Sequence, residues 1–124
     1  MLSGIHTTKP RTQRYVDAFV QGSGSGKIYH FRDLQELPAE PLTMYGILAG
    51  SGEVFKQCEQ EKKDFYFMDH GYFTNAHVSP HWLRITKNKH CQNVIQNRPT
   101  DRYEKYLKNE LKKWHKGKKI LVLP

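Results

Sequence analysis

The chain has 124 residues, 37% of them hydrophobic, with six Phe, seven Tyr and two Trp, which suits one ordinary domain with a real core and is too short for two full-sized ones. No apolar run nears the roughly eighteen residues needed to span a bilayer. The start "MLSGIHTTKPRTQ" lacks the basic-then-apolar order of a signal peptide, and Cys58 and Cys91 form no CxxC, so a membrane span, a secretory leader, a disulfide framework and a cysteine zinc site are all unexpected, and a cytoplasmic location is expected.

In chain order, Leu2 to Ile5 predicts a short strand, which Gly4 weakens. After Pro10, "RTQRYVDAFVQG" predicts a helix: Thr12 suits the N-cap, Tyr15 and Phe19 with Val16 and Val20 make apolar i, i+4 pairs, and Gly22 suits the C-terminal stop. "GSGSGK", Gly22 to Lys27, is flexible and polar. It is not a Walker A loop, because Gln21 stands where that pattern needs Gly and Ile28 where it needs Ser or Thr. "KIYHF", Lys27 to Phe31, alternates as a strand, and "RDLQELPAEPL" reads as a short helix or turn ended by Pro38 and Pro41.

"LTMYGILAG", Leu42 to Gly50, is almost continuously apolar and predicts a strand covered on both faces. "SGEVFKQCEQEKK" predicts a helix with Val54, Phe55 and Cys58 inward, and "DFYFM", Asp64 to Met68, another buried strand. Strand, glycine turn, helix and strand make a βαβ unit, hence parallel pairing with a right-handed crossover. Gly71 to Pro80 is irregular, His81 to Asn88 returns to strand character, and Lys89 to Pro99 reads as loop. Asp101 to Lys116 predicts a helix with Tyr103, Leu107, Leu111 and Trp114 on one stripe, capped by Thr100 or Asp101, and "KKILVLP" predicts a last buried strand. The expected fold is α/β: one Rossmann-like domain over 1–124, with a mostly parallel sheet of about four or five strands and helices packed on it.

Three places carry candidate chemistry. At Gly50, Ser51 and Gly52 a buried strand turns straight into a helix, a geometry that suits a phosphate or carboxylate. Phe55 stands where a dinucleotide fingerprint needs its third glycine and Glu53 adds a negative charge, so a purely structural turn competes with an anion site. Asp69, His70, Gly71 and Tyr72 follow a strand at the edge where open α/β sheets gather ligands. Asp69 and His70 are the residue types of general acid/base catalysis, with a turn capped by Asp69 as the alternative. His77 and His81 have the spacing of paired zinc ligands, but Pro80 breaks the helix that would align them, so no metal and no cofactor are expected.

The formal net charge of +8 is one-sided. Residues 1–62 hold seven Lys/Arg and seven Asp/Glu; residues 63–124 hold thirteen and five. Arg98, Arg102, Lys105, Lys108, Lys112, Lys113 and Lys116, interleaved with Tyr103, Tyr106 and Trp114, form the electrostatic footprint of a nucleic-acid contact; the same aromatics also suit the inward stripe of a helix.

The run "YGILAGSGEVFKQCEQEKKDFYFMDHGYF", followed by "LRITKN" and "KWHKGKKILVLP", resembles the first half of uncharacterised, phage-associated proteins that look like two-domain glycosyltransferases of the GT-B architecture, over about Arg11 to Pro124. The resemblance implies the acceptor-side half of such an enzyme. The second domain, which chiefly holds the sugar nucleotide, would have to come from a protein partner, so this half would not complete a transfer alone. It also implies a nucleotide or sugar-nucleotide ligand and, for a phage-encoded chain, the host cytoplasm.

Overall fold

The computed structural model describes residues 1–24, 26–71, 83–91, 97, 99–106 and 117. The chain divides into two compact units, Met1–Asn93 and Val94–Pro124. The first carries one five-stranded sheet in the order β2-β1-β3-β4-β5, built from β1 (Ser3–His6), β2 (Ile28–His30), β3 (Leu42–Tyr45), β4 (Phe65–His70) and β5 (Leu83–Lys87). The first four strands pair in parallel and β5 lies antiparallel on β4, with Asp69 opposite Arg84 and His70 opposite Leu83. This is the expected α/β domain with a mostly parallel sheet, flanked by helices α1 (Pro10–Gly22) and α2 (Ser51–Gln60).

The helices cover opposite faces, as strand alternation requires. Ile5, Leu42, Met44, Phe65 and Phe67 point to one face and pack with Val54, Phe55 and Cys58 of α2. Tyr45 and Met68 point to the other and pack with Val16 and Val20 of α1, beside Tyr15 and Phe19. Burying a side chain such as Phe65 or Phe67 contributes about 2–3 kcal/mol. The βαβ units leave the centre in opposite directions: β1-α1-β2 runs outward on one side and β3-α2-β4 on the other. With one handedness for both crossovers, that reversal places one helix on each face.

Several boundaries differ from expectation. Gly4 does not break β1. A Cβ there would lie 2.5 Å from a Val16 methyl and 2.7 Å from Ile28 Cδ1, so the glycine is where α1 meets the sheet. The expected strand Leu42–Gly50 stops at Tyr45: Gly46, Ala49 and Gly50 all have positive φ (65°, 63° and 104°) and turn the chain out of the sheet. Ile47 and Leu48, expected to be buried, are 45% and 71% exposed. β4 runs two residues past Met68, to His70. α1 starts at Pro10, which suits a first helical position, so Lys9 rather than Thr12 is the N-cap.

The 3₁₀ turn Phe31–Asp33 stands where the short helix or turn was expected. In the second unit, α3 (Asp101–Tyr106) occupies the start of the expected long helix, and the Glu104 N–H donates to the Thr100 carbonyl (2.9 Å). The rest of that helix and the segment "KKILVLP" lie outside the described residues. Among the described residues no helix is long and apolar enough to cross a membrane.

Candidate functional site

Parallel strands β1, β3 and β4 end at a common edge, and the chain leaves β1 and β3 in opposite directions there. Adjacent loops that diverge in this way open a crevice, the usual ligand position in open α/β sheets. The crevice is present as a cleft of about 500 Å³. One wall is the loop after β1 and the first turns of α1: Thr7, Lys9, Arg11, Thr12 and Tyr15. Tyr45, Gly46, Ile47 and Leu48 form the opposite side, and Asp69, His70 and His90 complete the lining.

The β1-α1 loop is held by its own hydrogen bonds. Thr7 is buried; its hydroxyl accepts from the Lys9 N–H (3.3 Å) and meets the Thr12 hydroxyl (3.2 Å), while Gln13 Nε2 donates to the Thr7 carbonyl (3.0 Å). His6 Nε2 bonds Asp17 Oδ1 at 2.6 Å, tying the end of β1 to α1. The N-terminus of α1 has no side-chain cap and no acidic residue in its first turn. Lys9 and Arg11 stand beside it, neither in an ion pair with a described residue. The positive end of the helix dipole and two cations thus stand at the cleft, an arrangement that favours an anion.

Tyr45 forms the aromatic part of the lining. Its ring stacks on Tyr15 (5.3 Å between centroids, 19° between planes) and meets the His70 ring edge-on at 5.7 Å. The residue is only 7% exposed, and its hydroxyl has no hydrogen-bond partner. Burial pushes the phenol up to about 12, helped by the nearby charges of Asp69 and Tyr15 and opposed by Arg11. Among the described residues nothing accepts its O–H, an arrangement that costs about 1–3 kcal/mol.

The residues singled out from the sequence fall into separate places. Asp69 and His70 line the cleft, though not as a hydrogen-bonded dyad: the Asp69 carboxylate accepts the His70 backbone N–H (2.7 Å) and pairs with Arg84 across the strands (3.5 Å). Gly71 directly follows β4, and Tyr72 lies outside the described residues. Gly50 and Ser51 do not line the cleft. Ser51 is fully buried, its hydroxyl committed to the Gly46 and Leu48 carbonyls (2.6 and 3.0 Å), which holds the turn. Gly52 and Glu53 border a separate depression, with Lys56 paired to Glu53 at 3.0 Å. The positive φ of this turn falls at Gly46, Ala49 and Gly50; Gly52 is helical, with the Ile47 carbonyl oxygen 2.7 Å from where a Cβ would sit.

Of the basic residues assigned to nucleic acid, Arg102 and Lys105 fall within α3. Arg98, Lys108, Lys112, Lys113 and Lys116 lie outside the described residues, as do His77 and His81. Among the described residues no cluster of His, Cys, Asp and Glu is suited to a metal.

Lys9, Arg11, Tyr15, Tyr45, Ile47 and Leu48 escaped the sequence reading. The signal for the first two was present: Lys9-Pro10-Arg11 opens a helix without an acid in its first turn. Its meaning depended on β1 being a strand of the sheet, an expectation that Gly4 weakened and the structure bears out. No family model, curated protein or solved structure matches the chain.

Proposed function

We propose that this chain is a small-molecule-binding α/β domain whose cleft, at the carboxyl ends of β1, β3 and β4, takes a phosphate-bearing ligand. The observation that carries the reading is the uncapped N-terminus of α1, flanked by Lys9 and Arg11, opening on a cleft of about 500 Å³ that Tyr45 also lines. The anion belongs at α1 rather than at the glycine turn before α2, where Glu53 opposes it and the Ser51 hydroxyl is already occupied. The glycosyltransferase-like resemblance places sugar nucleotides among the ligands to test.

The test is a titration with inorganic phosphate and pyrophosphate, followed by backbone chemical shifts. Amides of residues 11–13 and 45–48 should move, and Lys9→Gln with Arg11→Gln should weaken binding by about tenfold or more, since charge-assisted bonds are worth ~1.5–3 kcal/mol each. Unmoved amides at both places would overturn the reading.

A second reading is a nucleic-acid contact through the basic segment 98–119, which holds nine Lys/Arg against three Asp/Glu. Charge density supports it, and it requires affinity that falls steeply with salt. Salt-independent binding of an oligonucleotide would exclude it.

A further inference from the structure

The lining of the cleft combines fixed charges with groups whose charge changes near neutrality. Lysine, arginine and aspartate stay charged through the neutral range, and the cleft has one of each in Lys9, Arg11 and Asp69. Histidine is the side chain whose ordinary charge change falls between about pH 5 and 8, and the cleft has two, His70 and His90. They stand on opposite faces of the sheet. His70, the last residue of β4, is on the α1 face and meets the Tyr45 ring edge-on at 5.7 Å. His90, just after β5, rests on the Phe67 ring at 4.9 Å on the α2 face. The two imidazoles thus flank the end of β4, across the cleft from Lys9 and Arg11. The acidic groups around them are engaged elsewhere. Asp69 accepts the His70 backbone N–H and pairs with Arg84 of β5 at 3.5 Å, and Glu53, which borders the depression beside His90, pairs with Lys56 of α2 at 3.0 Å. His6, at the end of β1, bonds Asp17 and is not in the lining. Among the described residues neither cleft imidazole has a carboxylate partner.

We propose that His70 and His90 make the cleft a proton-coupled anion site: the imidazoles take up protons as the anion binds, and the cleft holds a phosphate or sulfate group more tightly in weak acid than in weak base. This rests on the reading of the cleft as a phosphate site and adds two binding residues and a pH dependence to it. With both rings protonated, the cations in the lining outnumber its carboxylate four to one instead of two to one. An anion within about 4–6 Å of an imidazole favours the imidazolium and raises its pKa by about 1 or more. The added affinity is therefore complete below the ordinary histidine value of about 6.5 and is lost as pH rises through the raised one. The Tyr45 phenol, pushed up to about 12 by burial, stays neutral across that window and takes no part in it.

Calorimetric titration of the full chain with sulfate at constant ionic strength tests this, because sulfate keeps both its charges at every pH used and any change then belongs to the protein. Sulfate should bind about tenfold tighter at pH 5.5 than at pH 8, the change expected when the anion raises one imidazole pKa by about 1. At pH 6.5, titrations in two buffers of different ionisation enthalpy should show net proton uptake. His70→Gln and His90→Gln should each reduce the pH dependence, and the double variant should bind equally at pH 5.5 and pH 8, with its Tm recorded at both. The NMR titration of the His70 and His90 ring signals needs no substitution: both should titrate at higher pH with sulfate than without it, and rings that titrate identically in the two cases would overturn the proposal. Equal sulfate affinity of the parent chain at the two pH values would overturn the proton coupling but leave the phosphate site standing. A pH dependence that survives in the double variant would place the proton elsewhere, first on the His6–Asp17 pair, and overturn it too. Failure of sulfate and phosphate to bind at either pH would overturn both readings.

Discussion

At Gly50 two demands meet in one residue. Its φ of 104° lies where L side chains rarely go, and a Cβ would come within 2.2 Å of the Phe31 ring. Gly50→Ala should therefore destabilise the protein by about 1–3 kcal/mol, measured by urea unfolding. Gly22 has neither demand: it is helical, with nothing within 4 Å of an added Cβ, so Gly22→Ala should stabilise by about 0.5 kcal/mol in the same assay. Thr43 offers a comparison with Tyr45. Both have buried hydroxyls without a partner, but Thr43 is fully buried within β3 and does not line the cleft. Thr43→Val removes an unsatisfied group at nearly constant shape and should raise stability by about 1 kcal/mol; a loss of that size would mean that the hydroxyl does find an acceptor.

Each element was legible where its own pattern decided it and obscure where a neighbour did. The inward Val54, Phe55 and Cys58 of α2 follow from helical spacing, and the run Phe65–Met68 could only be a buried strand. The end of β3 could not be read that way, because the apolar letters continue through Ile47 and Leu48 while the backbone has already turned at Gly46. Composition reports what a side chain would bury, and here the turn at the cleft edge of the sheet leaves two of them out. β5 could be recognised as a strand, but its direction follows from pairing with β4, which no local pattern records. Gly4 is the sharpest case: a weak strand residue by propensity, it is required by the approach of α1. Gly4→Val should bring branched side chains into collision with Val16 and Val20 and destabilise by about 1–3 kcal/mol. Because α1 carries the cleft's cations, amide shifts at Lys9 and Arg11 should move in the same variant; an unchanged melting temperature would show that the helix does not rest on this residue.

Across the sheet domain, the cleft and a set of bonded carboxylates lie at opposite edges. At the start of β4 the Asp64 carboxylate accepts from Asn88 Nδ2 at 2.7 Å and lies 3.2 Å from Lys87 Nζ, while Asn88 Oδ1 accepts the Phe65 N–H at 2.8 Å. Near the start of β1 the Ser3 hydroxyl donates to Glu40 at 2.6 Å. The Asn88 bond, then Lys87, holds the Asp64 carboxyl below its ordinary 3.8, and the Ser3 bond, then the Glu40 backbone, holds Glu40 below 4.5. A carboxyl whose pKa is lower in the folded state binds protons more readily when unfolded, so its contribution is complete above the ordinary pKa and disappears as pH falls through the folded one. Stability should therefore hold from neutrality down to about pH 5 and fall progressively below about pH 4. Asn88 has a φ of 55°, so Asn88→Gly keeps the backbone while deleting both side-chain bonds. Urea midpoints at pH 7 and pH 3 should differ less in Asn88→Gly than in the parent chain, with binding at the far edge of the sheet unchanged at pH 7. An identical difference in the two proteins would mean that Asp64 plays no part in the acid transition.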